Sequence, residues 1–61
     1  MLLKVGSRGK QVKDLQEFLG ADADGIFGKG TEAAVKEWQA ANGLVADGLV
    51  GSATWDAMGL A

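Results

Sequence analysis

Asp24 and Asp47 are the carboxylates whose setting invites chemistry. Each heads the string Asp-Gly-Xaa-Xaa-Gly-Xaa-Xaa-Thr, running from Asp24 to Thr31 and again from Asp47 to Thr54. A duplicated acidic loop is one way to hold calcium, and ligand spacing tests it. A calcium loop needs oxygen donors at positions 1, 3 and 5, glycine at 6 and a carboxylate at 12. With Asp24 at position 5, position 3 is Asp22, but position 1 is Gly20 and position 12 is Thr31. In the second string the matching residues are Val45, Gly43 and Thr54. Neither loop has a closing carboxylate, so no metal site is expected.

Catalysis has little to work with. The 61 residues contain no His and no Cys, which removes Ser-His and Cys-His nucleophiles, imidazole ligands and thiolate ligands. Glu32 and Glu37 lie five apart on one helical segment and do not share a face, so they form no carboxylate pair. A chain of this size also lacks walls that exclude water from a reaction. The expectation is a non-catalytic protein without a cofactor. Six Lys+Arg against eight Asp+Glu give a net charge of −2, which offers no basic face to nucleic acid. No stretch has the length and apolarity of a membrane span. The start, Met1-Leu2-Leu3-Lys4, does not read as a signal peptide.

The acidic strings have a physical reading that needs no ligand. Asp accepts a hydrogen bond from the backbone two residues on, and the next Gly takes a positive φ. The second Gly then serves as a helix N-cap, and Thr31 or Thr54 falls in the first turn, where a hydroxyl can satisfy an orphan donor.

These strings belong to a longer internal repeat. With Val12 set over Val35, 24 pairs align and ten are identical: Val, Lys, Gln, Gly, Ala, Asp, Gly, Gly, Thr and Ala. Each unit is a helical stretch followed by a turn-rich loop, and the two must share one core. The elements follow. A first helix is expected over about residues 8–19, with Val12, Leu15 and Leu19 on one face, Ser7 as N-cap and Gly20 as terminator. A second is expected over about 29–42, with Ala34, Val35, Trp38 and Ala41 as its apolar face and Gly43 ending it. A short third is expected over about 52–59, carrying Trp55 and Met58. The pairs Ile26-Phe27 and Leu49-Val50 are too apolar for plain loops. They are expected to be short extended segments that plug the core, with the option of pairing as a two-strand ribbon. The fold class is therefore all-α, a compact three-helix bundle of two helix-loop repeats within a single domain, residues 1–61.

The order of motifs now carries a resemblance. Leu3 to Gln16 nearly spells Leu-Xaa-Xaa-Gly-Ser-Arg-Gly-Xaa-Xaa-Val-Xaa-Xaa-Leu-Gln, one residue tighter at Lys4-Val5. After it come Asp24 to Gly28, Thr31, Ala34-Val35, Trp38-Gln39, Asn42-Gly43-Leu44, Asp47 to Gly51 and Thr54-Trp55. From about Leu3 to Leu60 the chain resembles the peptidoglycan-binding module (PGBD-like, peptidoglycan-binding domain 1) of bacterial and phage cell-wall hydrolases. Two departures stand out. Lys29 and Ser52 occupy positions where the family often has Pro, and the loop Gly20 to Asp24 is short.

The resemblance implies a three-helix bundle, acting at the bacterial cell wall or in the periplasm. It implies a monomer that binds peptidoglycan, by glycan strand or stem peptide, and anchors a fused hydrolase such as a phage endolysin or autolysin. A start at Met1 without a signal would suit an N-terminal endolysin module. Two alternatives stand beside it: a protein-interaction or propeptide-like use of the same fold, and a hydrolase fragment whose catalytic part is absent.

The repeat sorts the aromatic and polar candidates. Trp38 aligns with Leu15 and is expected in the core, while Trp55 aligns with Glu32 and is expected to be partly exposed. Trp55 would then either pack over Leu2-Leu3 or stack on a sugar. Gln16 and Gln39 are duplicated, which suggests that each amide bonds a loop backbone group, although Gln39 is also a candidate contact. Arg8, Lys10 and Asn42 are candidate contacts for stem carboxylates and sugar amides, or members of a solvated face.

Overall fold

The computed structural model describes residues 2–60. Three helices follow one another: α1 (Lys10–Leu19), α2 (Lys29–Ala41) and α3 (Ser52–Met58). Among the described residues there is no regular strand, only two isolated antiparallel bridges, Leu3 with Val50 and Arg8 with Ile26.

The helices form where the sequence supplies straight-chain residues and places apolar ones a turn apart. α1 buries Val12, Leu15 and Gln16; α2 buries Thr31, Val35 and Gln39; α3 buries Thr54, Trp55 and Met58. Each helix ends where a glycine turns left-handed. Gly20, Gly43 and Gly59 have φ of 73°, 71° and 75°. The amide one residue further then reaches back to the last turn: Ala21 to Gln16 at 2.9 Å, Leu44 to Gln39 at 2.8 Å and Leu60 to Trp55 at 3.1 Å. These are Schellman closures, which satisfy carbonyls that a helix end otherwise leaves open.

Helix starts are less elaborate. Gly9, Gly28 and Gly51 are the N-caps, none with a side-chain cap. Gly28 and Gly51 stand where expected. Ser7 does not cap α1, which begins two residues later than expected. Its hydroxyl instead accepts from the Lys4 amide at 3.1 Å, closing a turn in the N-terminal arm.

That arm organises the interior. Leu3 exchanges both backbone hydrogen bonds with Val50, at 3.0 and 2.9 Å. Further along, Gly6 donates to Phe27, Phe27 donates to Ser7, and Gly9 donates to Gly25. The two loops therefore pair with the arm and not with each other as a ribbon. Each apolar pair is also split by the alternation of extended backbone. Phe27 and Val50 are buried, whereas Ile26 and Leu49 face outward.

The core comprises Leu3, Val12, Leu15, Phe27, Val35, Val50, Trp55 and Met58, with Leu19 and Trp38 packed against it. Burying each large side chain contributes about 1.5–3 kcal/mol.

The tryptophan assignment is reversed. Trp55 is 7% exposed and belongs to the core, while Trp38 is half-buried at its margin. The cause is that the repeat extends to the backbone but not to what surrounds it. Glu32 lies over the loop that follows its own helix, within van der Waals range of Gly48. Trp55, at the equivalent position of α3, joins Leu3 in the core cluster. Ala41, expected on the apolar face of α2, is exposed.

Candidate functional site

Two glutamine-centred knots hold the acidic loops. Gln16 leaves α1 pointing inward and is 1% exposed. Its amide nitrogen donates to Asp24 Oδ1 at 2.9 Å, to the Ile26 carbonyl at 2.9 Å and to Thr31 Oγ1 at 3.0 Å. Its oxygen accepts from the Gly25 amide at 2.8 Å. One side chain thus ties α1 to the first loop and to the first turn of α2.

Gln39 makes the corresponding set of contacts from α2. It reaches Asp47 Oδ1 at 3.3 Å, the Leu49 carbonyl at 2.9 Å and Thr54 Oγ1 at 3.3 Å, and accepts from Gly48 at 3.0 Å. Each residue in this set lies 23 positions after its counterpart. No buried side-chain nitrogen or oxygen among the described residues lacks a partner. The expected amide-to-loop bonds of Gln16 and Gln39 are present. The expected service of Thr31 and Thr54 to orphan backbone donors is not, because both hydroxyls accept from the glutamine amides.

The aspartates close the turns as anticipated. Asp24 Oδ1 accepts from the Ile26 amide and Asp47 Oδ1 from the Leu49 amide, each at 2.9 Å. Gly25 and Gly48 both take φ of 76°. The Ile26 amide and, secondarily, the Gln16 amide hold the Asp24 carboxyl below its ordinary pKa. Both favour the ionised form.

The candidate contacts divide by exposure. Arg8, Lys10 and Asn42 are exposed. The Arg8 backbone is bridged to Ile26, and the Asn42 side chain donates to the Trp38 carbonyl at 2.8 Å at the end of α2. The five candidates do not share one exposed surface, since Trp55 and Gln39 are buried and Arg8, Lys10 and Asn42 are exposed. Trp55, in the core, offers no open ring face for a sugar, and Gln39 is buried at 1% with its amide committed to the second knot. Both readings relied on exposure that is absent.

The aromatic surface lies elsewhere. Phe18 is exposed and stands edge-on to Trp38, ring centroids 5.7 Å apart and planes at 72°. Trp38 lines a shallow shelf of 350 Å³ with Leu19, Ala34, Glu37 and Ala41. Phe18 was missed because Leu15, Leu19 and Val12 already account for the apolar face of α1. A further aromatic outside that face was the available signal.

Two grooves overlie the knots. One of 290 Å³ is lined by Ala21, Asp22, Asp24, Gly30 and Thr31. The other, of 330 Å³, has Gln39, Asp47 and Thr54 in its wall and Leu2, Leu44, Val45, Leu49 and Ala53 around them. No cluster of three or more carboxylates suited to a metal occurs among the described residues. No described helix is long and apolar enough to cross a membrane.

Comparison with known proteins follows this geometry. The family described as "Putative peptidoglycan binding domain" matches residues 8–58, from the arm through α3. A zinc D-Ala-D-Ala carboxypeptidase of Streptomyces albus G is 44% identical over 62 residues, covering 88% of this chain and 24% of the enzyme. A peptidoglycan-binding protein of Clostridioides difficile, solved with glutamine hydroxamate, superposes with a TM-score of 0.93. It is 39% identical, over 97% of this chain and 40% of that one. The endolysin of Burkholderia AP3 phage gives 0.91 at 41% identity, over 95% of this chain and 24% of that one. The chain spans no more than 52% of the length of the curated relatives it matches.

Proposed function

The chain belongs to the peptidoglycan-binding domain family, and on that premise we propose that residues 1–61 act as one wall-binding module that anchors an attached cell-wall hydrolase. The observation that carries this reading is the family match over residues 8–58, which takes in all three helices and both knots. The company kept by similar chains supports the anchoring role, since they include an endolysin and a D-Ala-D-Ala carboxypeptidase. The module itself supplies no chemistry. Its two repeated loop carboxylates, Asp24 and Asp47, are spent on turns, and it has neither His nor Cys. Exposed Arg8, Lys10 and Asn42 are proposed as donors to carboxylates and amides of the wall polymer. The module works as a monomer at the cell wall.

The experiment is co-sedimentation with purified sacculi, together with an assay for muropeptides released by the module alone. Retention on sacculi without release is the expected result. A module left in the supernatant would overturn the binding reading, and released muropeptides would overturn the non-catalytic one.

A further inference from the structure

The two knot grooves share a scaffold but not a lining. Ala21, Asp22, Asp24, Gly30 and Thr31 of the first correspond, 23 positions on, to Leu44, Val45, Asp47, Ala53 and Thr54 of the second. Small and acidic residues have given way to apolar ones. Leu2 adds a further apolar wall to the second groove. Leu2, Val45 and Leu49 are among the exposed large apolar residues, and Val45, at 79%, is the most exposed of them. None of these three belongs to the core cluster, so the fold gains little from their apolarity. Grouped apolar exposure of this kind marks a contact surface.

We propose that this second groove seats an acetamido group of the glycan strand, and not the stem peptide. The proposal rests on the wall-binding reading above. Charge decides between the two parts of the polymer. Among the described residues, Asp47 is the only ionisable one lining the groove, and no Lys or Arg joins it. Stem peptides are net negative where their several carboxylates outnumber the single free amine of the third residue, and Asp47 repels that net charge while no described lining residue neutralises it. An N-acetylated sugar is uncharged in this region, with a methyl for the apolar wall and an amide N–H for a carboxylate. Asp47 is suited to accept it, because the residue is exposed and its bonds from Gln39 and Leu49 both use Oδ1. Size agrees. At 330 Å³ the groove is at the small end of the roughly 300–1,000 Å³ typical of ligand sites, enough for a sugar residue and its acetamido arm. The first groove presents Asp22 and Asp24 with little apolar wall and does not offer the same match.

The test uses Val45→Asp, which gives the second groove the residue type found at Asp22, and Val45→Leu, which preserves apolarity. Val45 is exposed enough for both variants to fold, which melting temperature verifies. The probes are peptide-free glycan strands released from sacculi by an amidase, the same strands after chemical N-deacetylation, and free stem peptide. Binding is followed by amide chemical shifts. The expected result is that acetylated strands shift the amides of Leu44, Gly48 and Leu49. Val45→Asp should weaken binding at least tenfold, as should deacetylation when binding is measured at a pH where the freed amine is neutral and adds no cation opposite Asp47; Val45→Leu should not. Equal binding by Val45→Asp overturns the proposal, as does stem peptide shifting those amides while glycan does not. If the parent is retained on intact sacculi in either case, only the groove assignment falls. If the parent itself is not retained, the wall-binding reading falls and takes the groove with it.

Discussion

Gln16 donates to the Thr31 hydroxyl at 3.0 Å across fifteen residues of chain, and both residues are buried. Gln39 and Thr54 stand in the same relationship at 3.3 Å. Each pair fixes the distance between a helix and the start of the next, so a loop rich in glycine is held in one conformation. An amide suits this position because it donates and accepts at once, which neither a carboxylate nor a hydrocarbon can do.

Replacing the amide tests that claim. Gln16→Glu is isosteric but sets a carboxylate against Asp24 Oδ1, the Ile26 carbonyl and Thr31. An unpaired buried charge costs about 3–5 kcal/mol, close to the whole stability of a domain this small. Gln16→Leu should cost less, about 1–3 kcal/mol, from polar groups left unsatisfied. The sign with pH is specific. The new carboxyl has a raised folded pKa, so Gln16→Glu should regain stability relative to the parent as pH falls through that pKa. Urea unfolding at pH 7 and pH 5 checks it, and a Gln16→Glu protein as stable as the parent at pH 7 would sink the account.

The tryptophans give a second test. Trp55 lies in the core with Leu3, Val50 and Met58, so Trp55→Ala should cost about 3–5 kcal/mol and leave little folded protein at 25 °C. Trp38 lies at the margin against Phe18, so Trp38→Ala should cost less and leave a folded protein. Helicity by circular dichroism ranks the two. The reverse ranking would mean that Trp55 is not the ring that closes the core.

These rings mark where sequence reasoning reached its limit. The three helices, the terminating Gly20 and Gly43 and the positive φ of Gly25 and Gly48 were legible, because each is set by nearby residues: apolar spacing, Asp-Gly turns and a missing Cβ. Gly59, which ends α3, falls inside the helix expected from the sequence. Burial is set by what arrives from elsewhere in the chain. Trp55 and Glu32 occupy equivalent backbone positions, but Glu32 lies against the Asp-Gly loop at Gly48, whereas Trp55 meets Leu3 in the core. Ser7 likewise looked like a cap, and was claimed by the turn that lets the arm reach both loops. The Gln-Thr pairs showed in the alignment as duplicated polar residues, yet their burial did not, since polarity alone argues for the surface.

Gly25 and Gly48 share a φ of 76° but not their surroundings. A Cβ on Gly25 would meet only the Gly9 carbonyl at 3.5 Å, whereas one on Gly48 would meet Glu32 Cγ at 2.8 Å and Lys36 Cε at 3.2 Å. Gly25→Ala should therefore show the left-handed backbone cost alone, about 1–2 kcal/mol. Gly48→Ala should cost more, and Glu32→Ala in the same protein should recover the excess. A double-mutant cycle by thermal unfolding measures that coupling. Additive losses would show that Glu32 moves aside without resistance.

Asp24 supplies a pH dependence whose direction is fixed by its bonds. Its carboxylate accepts from the Ile26 and Gln16 amides, which lowers its folded pKa below the unfolded value of about 3.9. A lowered pKa means that the folded state favours the ionised form more than the unfolded chain does. The stabilisation is fully present above the unfolded pKa and is lost as pH falls through the folded one. The group is exposed, so the effect should be modest and weaker at high salt. Carboxyl-detected NMR should give Asp24 a midpoint below that of an Asp in the unfolded chain. Asp24→Asn keeps an acceptor oxygen for the turn but cannot titrate, so its melting temperature should fall less between pH 5 and pH 2 than that of the parent. An identical acid slope in the two proteins, or an Asp24 midpoint at or above the unfolded value, would show that these amides do not hold the carboxylate.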